Sequence, residues 1–174
     1  MIDRGVDDET RAQLHDAHHR IMSIATVQQQ LQASALGNKI EIGPYLSKLA
    51  DSLAKSMIGD RRPVSVAVQA DAGTAVSSQA VSIGLIVTEL VINALKHAFP
   101  DRHEGAILVK YEVEGAHWRL SVSDDGVGRT DEGAEAARTG LGTSIVESLA
   151  RQLGGRVELS SGPQGTIVSI IHCA

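Results

Sequence analysis

Apolar residues recur along the first third of the chain in steps of three and four. Leu14, Ala17, Ile21, Ile24, Leu31 and Ala35, with Gln28 as the polar member, follow heptad a/d spacing and predict one long helix over 8–36. Gly37-Asn38 is a stop signal. Gly43-Pro44 opens a second helix, because proline suits a first turn. That helix carries Leu46, Leu49, Leu53 and Met57 on one stripe and ends near Gly59. The expectation for residues 1–59 is a helical hairpin, able to pair with a second copy as a four-helix bundle.

From Pro63 the period changes. VSVAV alternates every second residue and predicts a strand, followed by a helix over 79–98. AILVKYEV (106–113) and HWRLSVSD (117–124) read as two strands around Glu114-Gly115. Residues 142–153 form a helix that closes at Gly154-Gly155, and 156–160 with 165–171 form a second hairpin around Ser161–Gln164. The stretch from Arg129 to Thr139 has little apolar content and reads as a loop. The fold class is α+β: a helical region over 1–59, then a layered sandwich of five strands and helices over 60–174.

Composition narrows the function. With 174 residues, 43% hydrophobic and 21% charged, the chain is globular, with room for one domain and a small appendage. One Trp, two Tyr and one Phe leave the core to aliphatic residues and argue against stacking on single-stranded nucleic acid. A net charge of −5 argues against a broad nucleic-acid face. Cys173 is the sole cysteine, which excludes an internal disulfide and a thiolate metal cage and suits a reducing compartment. The opening MIDRGVDDET has no apolar run, so no signal peptide is expected. The most apolar stretch, 81–95, carries Glu89 and Asn93 and is too short and polar to span a bilayer. A cytoplasmic chain without a membrane segment is the expectation.

Three clusters carry candidate chemistry. On the 79–98 helix, Glu89, Asn93, Lys96 and His97 fall within one arc of about 100°. Ile83, Val87, Leu90, Ala94 and Ala98 fill the opposite face. A solvated stripe would explain the charges, but Asn is a poor interior helix residue. Its amide oxygen suits Mg²⁺, which favours oxygen ligands and keeps waters and phosphates. The second cluster is SDDGVG (123–128), in which Asp124 ends a strand and Gly126 and Gly128 permit a tight turn. By itself it reads equally as an Asp-Gly turn. The third is TGLGTSIVESL (139–149), where Gly140, Leu141 and Gly142 lead into a helix opened by Thr143-Ser144. Such a turn is either an anion site or a plain helix cap. Gly165-Thr166, at the start of the last strand, is uninformative alone.

Order and spacing add what the single motifs lack. E-x-x-x-N on a helix, D-x-G-x-G after a hairpin, G-x-G before a helix and G-T on a final strand resemble the ATP-binding domain of gyrase-type ATPases, Hsp90-type chaperones, MutL-type repair proteins and histidine kinases, the GHKL superfamily with its Bergerat fold. The resemblance covers roughly residues 60–172. It implies a sandwich with a five-stranded mixed sheet and three helices, binding ATP with Mg²⁺. It also implies that Asn93 coordinates the metal, that Glu89 orients or activates the nucleophile, and that Lys96 and His97 lie near the phosphates. Asp124 would bind the adenine amine, Gly126 would shape its pocket, and Gly128 would start a lid that Gly140, Leu141 and Gly142 end, with Thr143 next to them as a further cofactor-binding position. Thr166 would support the adenine through water. The family's phenylalanine-bearing lid motif is not evident, and the lid is short.

The N-terminal helix carries His15, His18 and His19 in LHDAHHRIMS. His15 and His19 lie one turn apart, but no fourth metal ligand is visible. A solvated face also accommodates them. With Leu14 at a, His19 falls at f, away from the seam, with His18 at e and His15 at b. AHHRIMS resembles the His-His-Arg acceptor motif of a histidine kinase subgroup related to the HWE kinases, whose phosphorylated histidine directly precedes the arginine. That position is His19, before Arg20. TELVINALKHAFP (88–100) is close to the same subgroup's nucleotide motif. Two departures stand out: Ser23 replaces the subgroup's asparagine, and IEIGPYLSKLADSLAKSM resembles the segment that normally follows the second bundle helix. The resemblance implies a homodimeric, autophosphorylating kinase. It would pass phosphoryl to the aspartate of a response regulator receiver domain, under a sensor domain not in this chain. A GHKL serine kinase of the anti-sigma-factor type and a non-catalytic phosphotransfer or scaffold protein are the alternatives.

Overall fold

A computed structural model of the chain describes residues 39–58, 63–100, 104–128 and 141–174, with individual positions between 10 and 29. The elements are β1 (Lys39–Glu41), α1 (Ile42–Met57), β2 (Val64–Ala70), β3 (Thr74–Val76), α2 (Ser77–His97), β4 (Gly105–Glu114), β5 (His117–Asp124), α3 (Leu141–Gln152), β6 (Gly155–Gly162) and β7 (Gly165–His172). The five longer strands form one mixed sheet in the order β2-β4-β5-β7-β6. β2 and β4 are parallel and the other neighbours antiparallel. A parallel pair needs a crossover, and β3 with α2 supplies it.

Period-two alternation gives the sheet one dry face. Ile107, Val109 and Tyr111 of β4, Leu120 and Val122 of β5 and Ile170 of β7 are buried together with the helices. On β4 the alternate residues Lys110 and Glu112 form an ion pair at 2.6 Å on the other face. The antiparallel registers match the sequence reading closely, with one correction. β6 runs on to Gly162, so Ser161 is a strand residue opposite Thr166, and the turn is only Pro163-Gln164. The pairing of Gly162 with Gly165 closes this two-residue loop.

α1 departs from expectation in its partner rather than its extent. Leu46 and Leu49 are 0% exposed and Leu53 2%. The stripe packs on β2 and α2, within the sandwich core. The Tyr45 hydroxyl donates to the Ala80 carbonyl at 3.0 Å, and burial pushes its phenol well above the usual range. β1 and β3, which the sequence did not predict, explain the attachment. They pair antiparallel, Lys39 opposite Val76 and Glu41 opposite Thr74, and the Ile42 N–H donates to Gly73 at 3.0 Å. α1 is thereby held to the crossover that leads into α2.

Of the expected helix over 8–36, Thr10, Arg11, Leu14, Ala17, His18, Ala25 and Gln29 are described; each is helical and exposed. Leu14 and Ala17, placed on the seam, thus face outward in the single chain, Leu14 at 66% exposure. His15, His19 and Gln28 lie outside the described residues.

Candidate nucleotide site

α2 is the central helix, with the sheet beneath it and α1 and α3 at its flanks. Ile83, Val87, Leu90, Ala94 and Ala98 are buried as the periodicity predicts, but so are Ile86, Val91, Ile92 and Leu95. By length and composition α2 could cross a membrane, yet 67% of its most apolar window is buried within this domain. The polar arc is correspondingly narrower than expected. Glu89 is only 5% exposed, Asn93 is half-buried, and Lys96 and His97 are exposed in the last turn. Helical periodicity states which residues share a face; it does not count the elements that cover it.

Where α2 ends, the loop after β5 is fastened to it. The Val127 N–H donates to the Ala98 carbonyl at 2.9 Å. A Cβ on Gly126 would run into that same carbonyl, so the close approach requires glycine. Gly128 follows with φ 70°, and a side chain there would collide with the Gly162 carbonyl. Asp124 is held between these contacts. Its Oδ1 accepts the Gly126 N–H at 3.0 Å and the Thr166 N–H at 3.3 Å, which fixes the carboxylate at the rim of the sheet. Thr166, 8% exposed, sits opposite Asp124 on β7, and its Oγ1 lies 2.9 Å from Ser161 Oγ.

These elements enclose a narrow cleft of about 40 Å³. Asn93, His97, Asp124, Gly128 and Thr166 line it, with Leu90, Ala94, Ala98, Val122 and Val168 as apolar walls. A dry wall with a few convergent polar groups is the general make-up of a small-molecule site. Five sequence candidates therefore meet in one place. Gly126 lies behind it, buttressing the loop. Glu89 and Lys96 do not line the cleft. α3 starts at Leu141, with Thr143 half-buried in its first turn. Gly140 and His19 fall outside the described residues. Two wider clefts, of about 650 and 640 Å³, lie by the β6–β7 turn and by Trp118 and His172. Both are broad and open, and neither gathers Asn93 with Asp124.

Sequence reading misses Val122 and Val168 as walls and places Leu90, Ala94 and Ala98 only on the core face of α2, whereas they also wall the cleft. Val122 and Val168 stand two residues from Asp124 and Thr166, so the alternation that places the polar pair also places them. Among the described residues no three His, Cys, Asp or Glu side chains converge as a metal cage. The donor suited to Mg²⁺ is the Asn93 amide oxygen, and an ion held mainly by phosphate oxygens needs few protein ligands.

Comparison with known proteins agrees with this geometry. The family of histidine kinase-, DNA gyrase B- and HSP90-like ATPases matches residues 78–173, and a histidine kinase family matches residues 2–57. Blue-light-activated histidine kinase 2 of Erythrobacter litoralis is 32% identical over 164 residues, covering 91% of this chain and 47% of that protein. Sensor histidine kinase PdtaS of Mycobacterium tuberculosis is 28% identical over 81% of this chain and 28% of that protein. The chain thus spans under half the length of these relatives. The solved histidine kinase domain of the Erythrobacter litoralis EL346 blue-light activated histidine kinase superposes with a TM-score of 0.79 at 31% identity, covering 90% of this chain and 74% of that one. With residues of three of the ordered motifs lining one cleft and both family models matching, the chain belongs to the histidine kinases within the histidine kinase-, DNA gyrase B- and HSP90-like ATPase family.

Proposed function

We propose that this chain is the catalytic region of an ATP-dependent protein histidine kinase that phosphorylates itself on His19. The observation that carries the reading is the convergence of Asn93, Asp124 and Thr166 on one apolar cleft. Asp124 accepts the adenine amine while its own Oδ1 is fixed by two backbone N–H groups. Asn93 offers its amide oxygen to Mg²⁺, with His97 and Lys96 at the phosphate end of α2. The metal, when bound, neutralises charge on the phosphates. The imidazole nitrogen of His19 attacks the γ-phosphorus, the bond to the ADP oxygen breaks, and ADP leaves. Neutral imidazole is a competent nucleophile near pH 7. Glu89, one turn before Asn93, orients or deprotonates it. Positioning and charge neutralisation carry such transfers.

We place the acceptor role in the part before Lys39, and α1, whose stripe packs in the sandwich core, with the ATP-binding domain, instead of dividing the chain at 59/60. Phosphoryl then passes to the aspartate of a response regulator receiver domain. The heptad stripe read from the sequence over 8–36 supports a homodimer through the first helix. The sensor lies elsewhere in the protein, and the kinase acts in the cytoplasm. Incubation with γ-labelled ATP, followed by mapping of the modified residue, tests the proposal. Acid-labile, base-stable label on His19 supports it. Acid-stable phosphoserine would transfer the chain to the serine-kinase class, and ATP binding without any label would make it a scaffold.

A further inference from the structure

Asp125 follows Asp124 in the chain and serves the other side of the sheet. Asp124 stands in step with the buried Leu120 and Val122 and lines the narrow cleft beside α2. Asp125 lines the wide cleft by the β6–β7 turn, with Leu108, Ser123 and Ile167 of the opposite face. The ladder between β4 and β5 pairs Ile107 with Asp124, so the next position sets Ala106 against Asp125. A hydrogen-bonded antiparallel pair exchanges two backbone bonds. Here one of the two is backbone to backbone: the Asp125 N–H donates to the Ala106 carbonyl at 3.2 Å. The return bond runs from the Ala106 N–H to Asp125 Oδ1 at 2.8 Å. The carboxylate thus takes the place of the Asp125 carbonyl in the ladder.

We propose that Asp125 is a positioning residue for the nucleotide. Its side chain completes the ladder in place of a main-chain carbonyl, so the chain leaves the sheet just after Asp124 and keeps its hold on β4. The next two N–H groups show where the loop goes. Gly126 donates to Asp124 Oδ1 at 3.0 Å, and Val127 donates to the Ala98 carbonyl at 2.9 Å. Three successive N–H groups therefore tie the loop to β4, to the Asp124 carboxylate and to the end of α2. Asp124, Ala98 and Gly128 all line the narrow cleft, so the seat of this loop on β4 fixes the angle at which Asp124 meets a bound base. The bond from Ala106 needs an acceptor oxygen at one place and not a charge. A carboxylate has acceptor sites to spare, so the further contact that Asp125 makes leaves this bond in place. The two adjacent aspartates serve one base differently: Asp124 by its charge and in contact, Asp125 by its geometry and through the loop.

This inference rests on the nucleotide reading of the cleft, and the experiment separates the two. Calorimetry on the purified chain measures binding of ADP and of a non-hydrolysable ATP analogue, with and without Mg²⁺, to the parent, Asp125→Ala, Asp125→Asn, Asp125→Glu and Asp124→Asn. A thermal melt checks that each variant is folded at the temperature used. Asp125→Ala is expected to weaken both nucleotides about fivefold, the worth of one modest hydrogen bond. The factor should be the same with and without Mg²⁺, because the fault lies at the base and not at the phosphates. Asp125→Asn keeps the acceptor oxygen and should bind like the parent. Asp125→Glu keeps the charge but carries its oxygens one methylene further out, and should resemble Asp125→Ala. Amide exchange at Ala106 should quicken in the Ala and Glu variants and stay parent-like in Asp125→Asn. Parent-like affinity in Asp125→Ala, a loss confined to Mg²⁺, or a loss in Asp125→Asn that Asp125→Glu does not share overturns the role of Asp125. If Asp124→Asn loses binding while Asp125→Ala does not, the nucleotide site stands and only this inference falls. If Asp124→Asn also binds like the parent, the nucleotide reading falls with it.

Discussion

Asp124 and Thr166 face each other across β5 and β7, and one carboxylate oxygen accepts the threonine backbone N–H at 3.3 Å as well as the Gly126 N–H at 3.0 Å. The same oxygen thus ties the end of the sheet to the loop that leads away from it. Asparagine can keep an oxygen for these two donors but loses the charge. Asp124→Asn should therefore remain folded and bind ATP about 10- to 150-fold more weakly, the loss of one hydrogen bond to a charged group. Calorimetry with an ATP analogue measures it, and parent-like affinity in a folded variant would remove the adenine role.

Asn93 should act through metal. Asn93→Ala is expected to leave nucleotide binding without Mg²⁺ nearly unchanged, while the tightening that Mg²⁺ brings disappears and self-phosphorylation stops. Titrating ATP at several Mg²⁺ concentrations shows whether the tightening survives; if it does, the amide is not a ligand.

Gly126 and Gly162 lie on either side of the same loop but differ in what a methyl group would meet. At Gly126 it strikes the Ala98 carbonyl, while at Gly162 nothing lies within 4 Å. Gly126→Ala should cost about 1–3 kcal/mol through overpacking and weaken ATP, whereas Gly162→Ala should be near neutral. Urea unfolding of the two variants distinguishes them, and equal midpoints would contradict the close approach.

Leu46 tests where α1 belongs. Its side chain is 0% exposed between α1 and the sandwich. Leu46→Ala should destabilise the ATP-binding domain by about 2–5 kcal/mol, lowering the unfolding midpoint reported by Trp118 on β5. An unchanged midpoint would return α1 to the acceptor region.

His19→Gln should abolish acid-labile labelling and keep ATP binding, while His15→Gln keeps most of both. Heptad position leaves both histidines outward, so the position before Arg20 is what separates them. Label that survives in His19→Gln moves the acceptor elsewhere.

The sheet and α2 were legible because their signals are local. Alternation set β4, β5 and β7 to within a residue or two, and glycines marked the loops around Asp124. The association of Asn93 with Asp124 and Thr166 came from motif order, since spacing alone leaves each motif ambiguous. Three things were not legible. The stripe on α1 announces that it must be buried but not against what. β1 and β3 are three residues each, too short for alternation to register. Glu89 looked solvated because the arc it shares with Lys96 and His97 is polar, yet it lies nearer the middle of α2, where neighbouring elements crowd the helix.

The short pairing of β1 with β3 has a consequence for reach. It brings the chain in beside Val76, the residue just before α2 begins. Asn93 is 16 residues along α2 from Ser77, a distance of about 24 Å at helical rise. In the helix read from the sequence over 8–36, His19 stands 17 residues before the end, about 26 Å. On the proposed roles, acceptor and metal ligand stand at nearly equal distances along the chain from one shared anchor. On that reading the length of the first helix is matched to that of α2, and its register, rather than its composition alone, is under constraint.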